Sequence, residues 1–291
     1  ILKDAAATSI YGSRGANGVI IVTTKRGSEG RNDVTVNAYV GVQQIAKRLE
    51  MLNAREYAVM LNQQDVLSNQ EPSIENPSVY GKGTDWQDEI LRLAFMQNYQ
   101  VAASGGNKDG RYYLSLSMFD QDGVIKNSGI RRYQTRLNLD RKMRHNINIG
   151  ANFQFSYTQR EPNLVSLGGF DYQSSALATP PTMNIYNEDG SYASDSPSRV
   201  VSNDIDNVVA QLNERKKQEK AASIYAGIFA EWEAIKDLKF KTFLGLNAGT
   251  NKTSEYKSSM LPTMRQNKIK GEAWINQGES YSILWENTLN Y

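Results

Sequence analysis

The sequence predicts an all-β chain, folded as an antiparallel β-barrel of the kind that spans a membrane, and three observations carry that expectation. Apolar and polar residues alternate with a period of two along stretch after stretch, which is the mark of strands with one apolar and one polar face. The connections between the stretches are short and long in turn, so short turns gather at one end of the sheet and long loops at the other. Several stretches reach about 11 residues, whereas soluble strands average about 5 to 6 and a strand crossing a bilayer needs about 9 to 11.

Taken in order, the first 27 residues stand apart. Residues 2–11 are Ala-rich and read as a helix ended by Gly12, and 13–18 form a glycine-rich turn into the β-branched strand 19–24. Helix, glycine loop, strand is the reverse of the order that cradles a phosphate at a helix N-terminus. The spacing of Gly12, Gly15 and Gly18 also departs from the dinucleotide fingerprint.

Strands follow over 33–43, 98–104, 112–119, 133–140, 147–157, 222–232, 238–249 and 280–291. In the clearest, Ile147, Ile149, Ala151, Phe153, Phe155 and Tyr157 oppose Asn148, Gly150, Asn152, Gln154 and Ser156. Short turns are expected near 105–110, 141–145 and 234–237, and long connections near 45–97, 120–132, 158–221 and 250–279. Tyr112 and Trp232 then mark the short-turn edge of the apolar band, and Tyr133 and Tyr157 its long-loop edge, as interfacial aromatic girdles would. Arg136, Asn138, Asn148, Asn152 and Gln154 suit a water-filled lumen and equally a solvated sheet face. A soluble β-sandwich shares this alternation and stays open as the alternative.

Composition narrows function. Lys and Arg number 33 against 31 Asp and Glu, a net charge of +2, which argues against nucleic-acid binding. With no cysteine and only His145, thiolate nucleophiles and Cys- or His-rich metal sites are excluded. Mean hydropathy is −0.56, and no apolar run approaches the roughly 18 to 20 residues of a spanning helix. Residues 1–4 lack the basic start and apolar stretch of a signal peptide, so the chain reads as an internal piece of a longer protein. No catalytic constellation, cofactor or metal is expected.

Motifs of this chain then point to a family. The stretch from Leu2 to Lys25, with Gly12, Arg14, Gly15, Asn17 and Gly18 as its signature, resembles the end of the plug domain in SusC/RagA-type TonB-dependent outer-membrane transporters. Residues 52–57, 83–90, 104–106, 119–127, 133–140, 150–157 and 286–291 agree in the same order. The resemblance implies a plugged barrel of about 22 strands in the parent protein. Residues 1–27 would be the C-terminal segment of an α+β plug, and 28–291 the N-terminal part of the barrel with long extracellular loops. It also implies active import of an oligosaccharide or peptide through the cell outer membrane. The implied partners are TonB, through an upstream plug region, and a SusD-like surface lipoprotein, with outer-membrane lipid around the barrel. A siderophore or cobalamin receptor of the wider class is the alternative, and a soluble β-sandwich carbohydrate-binding or adhesin module the alternative from another class.

The remaining motifs have plainer readings. Asn107-Lys108-Asp109-Gly110, Asp120-Gln121-Asp122-Gly123 and Asn187-Glu188-Asp189-Gly190 read as turns rather than calcium loops. Residues 52–67 read as a loop helix with Asn53 as N-cap and Glu56 completing a capping box. The run 215–220 reads as a solvated loop, with contact to anionic surface lipid as the functional alternative. Because sugars stack on aromatic faces, Tyr80, Trp86, Phe170, Tyr172, Tyr186 and Tyr192 are candidate ligand or lid contacts in the loops.

Overall fold

Each predicted stretch of alternation forms a strand, and each strand is longer than its apolar part. In the computed structural model, which describes residue 18 and residues 25–144, 146–162, 172–194 and 207–291, eight strands make one antiparallel sheet in sequential order. They are β1 (Asn32–Gln43), β2 (Ala94–Gly106), β3 (Gly110–Asp122), β4 (Gly129–Arg144), β5 (Ile147–Glu161), β6 (Arg215–Ile235), β7 (Leu238–Ser258) and β8 (Gly271–Asn290). The expected helix over 2–11 and strand over 19–24, with Gly12, Arg14, Gly15, Asn17, His145 and Phe170, lie outside the described residues.

Register fixes the two faces. Tyr112, Leu139, Ala151, Ile228, Leu244 and Trp285 are successive partners across six strands, so they line one face. The row three residues further along, Ser115, Arg136, Gln154, Tyr225, Asn247 and Ser282, lines the other. On the apolar side the row Ala38, Tyr99, Met118, Tyr133, Tyr157, Ala222, Thr250 and Glu279 lies inside the band on β1, at its edge on β4 and β5, and beyond it on β8. The band therefore crosses the rows obliquely, as strands tilted in a barrel wall require. Val34, Val40, Ile283 and Trp285 on this side are all exposed, so the sheet is a single layer there and not half of a sandwich.

Three expectations are corrected by strand length. The connections placed over 120–132 and 250–279 contract to 123–128 and 259–270, because β3, β4, β7 and β8 run on past their apolar parts. Asp120 to Asp122 accordingly belong to β3, and only Gly123 begins the turn. The run 215–220 is the start of β6, not a loop; Arg215 is paired with the Glu255 carboxylate of β7, and the ladder continues through Lys216–Tyr256 and Lys217–Glu255. Charge density made the run look like a loop, but charged residues can extend a strand where its sheet rises beyond the apolar band. The other motifs form as read. The Asn107 side chain accepts from the Asp109 and Gly110 amides, and Gly190 closes its turn with a positive φ of 79°.

The long connections carry the helices. Ala54–Leu67 is capped by Asn53, whose Oδ1 accepts from the Glu56 amide at 2.9 Å while Glu56 accepts from the Asn53 amide at 3.0 Å. Its buried Ala58 and Leu61 pack with Ile74, and half-buried Tyr57 and Tyr80 close over them. Asn53→Ala is expected to destabilise this helix by about 1 kcal/mol, read as faster amide exchange in residues 54–57 with the strands unchanged.

Candidate functional site

Two places on this scaffold bring together residues that are far apart in sequence. The first is a core at the long-loop end, where all four long connections meet. Trp86, Ile90 and Leu91 from the first pack against Ala176, Met183, Tyr192, Val208, Val209, Ala210 and Leu212 from the third and Leu261 and Met264 from the fourth. The second connection joins through the half-buried Ile125 and through Asn127, which donates to the Leu212 carbonyl at 2.9 Å.

The segment 83–90 is the hub of this cap, and each residue from Gly83 to Gln87 has a local reason. Gly83 has a positive φ of 67°, and a Cβ there would overlap the Pro181 carbonyl and Ala54. Thr84 donates from its amide to Pro181 O at 2.9 Å and from its hydroxyl to Met183 O at 2.8 Å. Asp85 caps the helix Trp86–Ile90 by accepting from the Gln87 and Asp88 amides. Trp86 is only 3% exposed and donates from Nε1 to Pro180 O at 2.9 Å. Gln87 clamps Leu49 with both ends of its amide, at 2.7 and 3.0 Å.

On the other side of the core, fully buried Asn207 donates to the Ile185 and Ala193 carbonyls and caps the helix Val208–Glu214. Arg265 reaches the Tyr192 carbonyl at 3.1 Å. Burial raises the Tyr192 phenol above its ordinary range, which keeps it neutral. Hydrogen bonds from the Ser191 hydroxyl and amide lower the Asp189 carboxyl in the adjoining turn. A cleft of about 580 Å³ opens beside the core, lined among others by Leu49, Met51, Tyr57, Met60 and Pro180.

The second place is on the polar face near the short-turn end, where residues 25–31 lie along the sheet. Asn138 donates to the Lys25 carbonyl at 2.8 Å. Arg26 grips both oxygens of Asp140, at 2.8 and 3.0 Å, and Arg111 approaches the same carboxylate at 3.7 Å. The Asp140 side chain is 14% exposed. Gly27 lies so close to the β2–β3 hairpin that a Cβ would overlap the Gly105 and Tyr112 carbonyls. Gly30 and Arg31 then exchange backbone bonds with Gly106 and lead into β1.

No protein-family model matches the chain. Over its whole length it is 33% identical to the TonB-dependent receptor P3 of Formosa agariphila, across 296 residues that make up 28% of that receptor. It is 35% identical to the TonB-dependent receptor SusC of Bacteroides thetaiotaomicron over 196 residues, 66% of this chain and 18% of that one. In fold, 99% of the chain overlays 35% of a chain of the RagAB peptide importer in its open-open state, with a TM-score of 0.78 at 22% identity. The chain belongs to the TonB-dependent receptors of the SusC/RagA type. It spans about 28% of the length of the curated relatives it matches over its full length.

As part of a SusC/RagA-type barrel, the sheet has an outside and an inside. The exposed apolar band is the outer surface, since apolar area on this scale is stable only against lipid or another protein. The polar face, with residues 25–31 laid along it, is the lumen wall.

The aromatic candidates separate on this scaffold. Trp86 and Tyr192, the latter 6% exposed, are held inside the cap. Tyr186 is 49% exposed and stacks on Tyr192 with ring centroids 5.1 Å apart. Tyr80 closes over the loop helix Ala54–Leu67, and Tyr172 opens the helix Tyr172–Ala178. Of the plug signature, Gly18 alone is described, with a positive φ of 94°. Among the described residues no group of three or more His, Asp or Glu is placed to hold a metal ion. Sequence reasoning missed Arg26, Asp140 and Asn207: Arg26 and Asp140 meet across a separation of 114 residues, and an Asn in a long loop carries no local signal of burial.

Proposed function

We propose that the protein this chain belongs to imports a large nutrient, an oligosaccharide or a peptide, across the outer membrane in a TonB-dependent cycle. A SusD-like surface lipoprotein works with it. Residues 1–27 are read as the end of the plug, and 28–291 as the first part of the barrel, with the long loops outside the cell. The observation that carries the reading is residues 25–31 laid against the lumen wall, held by Asn138 and Asp140. A chain entering β1 from inside the barrel is what a plug preceding the barrel requires. The RagAB neighbour supports a peptide as one substrate class, since it is named as a peptide importer. In this cycle no bond of the substrate is broken; the cap of four long connections and its exposed Tyr186 face the incoming nutrient.

The test is uptake by the full-length receptor in its own cells. Labelled oligosaccharide and peptide pools are offered with TonB present and deleted, and with the proton gradient intact and collapsed. Accumulation that needs both is the expected result. Accumulation unchanged in either deletion or collapse would overturn the reading, and dependence confined to iron chelates or corrinoids would replace it with the siderophore or cobalamin alternative.

A further inference from the structure

One row of the outer face has an uncompensated charge. It runs Val40, Gln97, Asp120, Arg131, Gln159, Lys220, Lys252, Gln277 across all eight strands. Arg131 has its own carboxylate, Asp120, at 2.9 Å. Lys220 and Lys252 are direct register partners on β6 and β7, both exposed, and neither makes an ion pair or hydrogen bond among the described residues. Like charges set opposite each other on adjacent strands destabilise a sheet, so this pair costs the fold something that its neighbours do not offset.

The surroundings show what would offset it. The row beneath, toward the apolar band, is Tyr157, Ala222, Thr250 and Glu279, about 7 Å away at two residues along a strand. Above lie Glu161, Gln218 and Ser254, with Glu161 accepting from Gln159 and Gln218 at 3.4 Å each. Glu161 and Glu279 are diagonal to the lysines and within 4.0 Å of neither. The two ammonium groups, flanked by the amides of Gln159 and Gln277, thus stand one row beyond an interfacial tyrosine. In a bilayer that is the depth of the lipid headgroups.

We infer that Gln159, Lys220, Lys252 and Gln277 form a binding site on the outside of the barrel for the phosphate of a lipid headgroup in the leaflet at the long-loop end. The inference rests on the outer-membrane reading above for which leaflet this is. Two cations and two amide donors match a phosphate's charge and acceptors, and the apolar band, which on β6 to β8 resumes one row lower still at Ile224, Ala248 and Tyr281, receives the acyl chains. A lipid so held would fix the depth of β6 and β7, the longest strands of the sheet at 21 residues each.

The experiment uses the full-length receptor in dodecyl maltoside micelles, which carry no phosphate, doped with monophosphoryl lipid A or with the same lipid dephosphorylated. Retained lipid is counted by native mass spectrometry. The wild type is expected to keep the phosphorylated form selectively. The double variant Lys220→Gln/Lys252→Gln is expected to bind it about thirtyfold more weakly, at about fivefold per lysine. Arg131→Gln/Asp120→Asn, which removes the neutralised pair in the same row, is expected to bind as the wild type does. Equal retention by the lysine variant, or displacement of the lipid by inorganic phosphate at equal concentration, would overturn the inference. Heat-modifiable gel migration confirms a folded barrel for each variant. TonB-dependent uptake is scored separately in the wild type, so a failure of the transport reading and a failure of the lipid site give different results.

Discussion

Trp86→Ala is expected to open the cap at the long-loop end while the barrel wall stays folded. The indole is the largest side chain of the core that joins the first, third and fourth long connections. Truncating a buried Trp costs about 3 to 5 kcal/mol; the Pro180 carbonyl loses the indole donor but keeps the Met183 amide at 3.1 Å, so the lost packing is the main cost. The wall should survive, because the barrel strands are held by their own ladders and not by the cap. In the full-length protein, limited trypsin digestion should cut at Arg55, Lys82 and Arg265 of the cap many times faster than in the wild type, while heat-modifiable migration is retained. Trp86→Phe, which keeps most of the packing and loses the N–H, should fall between the two. A variant whose loops stay resistant but whose nutrient capture is lost would instead make Trp86 a ligand contact, opened to the substrate by a rearrangement of the cap.

Asp140→Asn is expected to release residues 25–31 from the lumen wall. One carboxylate carries two guanidiniums there, Arg26 at 2.8 Å and Arg111 at 3.7 Å, and removing its charge leaves both without a partner. A buried pair broken on one side costs about 3 to 5 kcal/mol. Here Arg26 is partly solvated, so about 1 to 3 kcal/mol is the appropriate range. In a full-length receptor with any other cysteines replaced, a cysteine placed at Ser28 reports on this segment by its rate of maleimide labelling. That rate should rise about tenfold or more in Asp140→Asn, a factor that corresponds to about 1.4 kcal/mol. Asp140→Glu, which keeps the charge, should stay near the wild type. An unchanged rate in Asp140→Asn would mean that Asn138 and the Gly27 contact hold the segment without the ion pair.

The strands were legible because strand pattern is local. A side chain two positions along lies on the same face whatever the rest of the chain does, so Ile147 to Tyr157 declared both a strand and its two faces before any partner was known. The capping box at Asn53 was legible for the same reason, since donor and acceptor are three residues apart. Strand ends were less so. The polar extensions of β3, β6 and β7 look like loops in sequence, and only pairing to a neighbour made them strands.

What the sequence by itself determined is therefore the all-β wall, its apolar and polar sides, the alternation of short turns and long connections, and the motifs that tie it to SusC/RagA-type receptors. Only the tertiary structure decided that Trp86 and Tyr192 turn inward while Tyr186 stays exposed, that Arg26 meets Asp140, and that Lys220 stands opposite Lys252. The physical reason is range. Periodicity and capping act over a few residues, whereas burial in the cap and charge pairing on the wall depend on segments that lie more than about 100 residues apart in sequence.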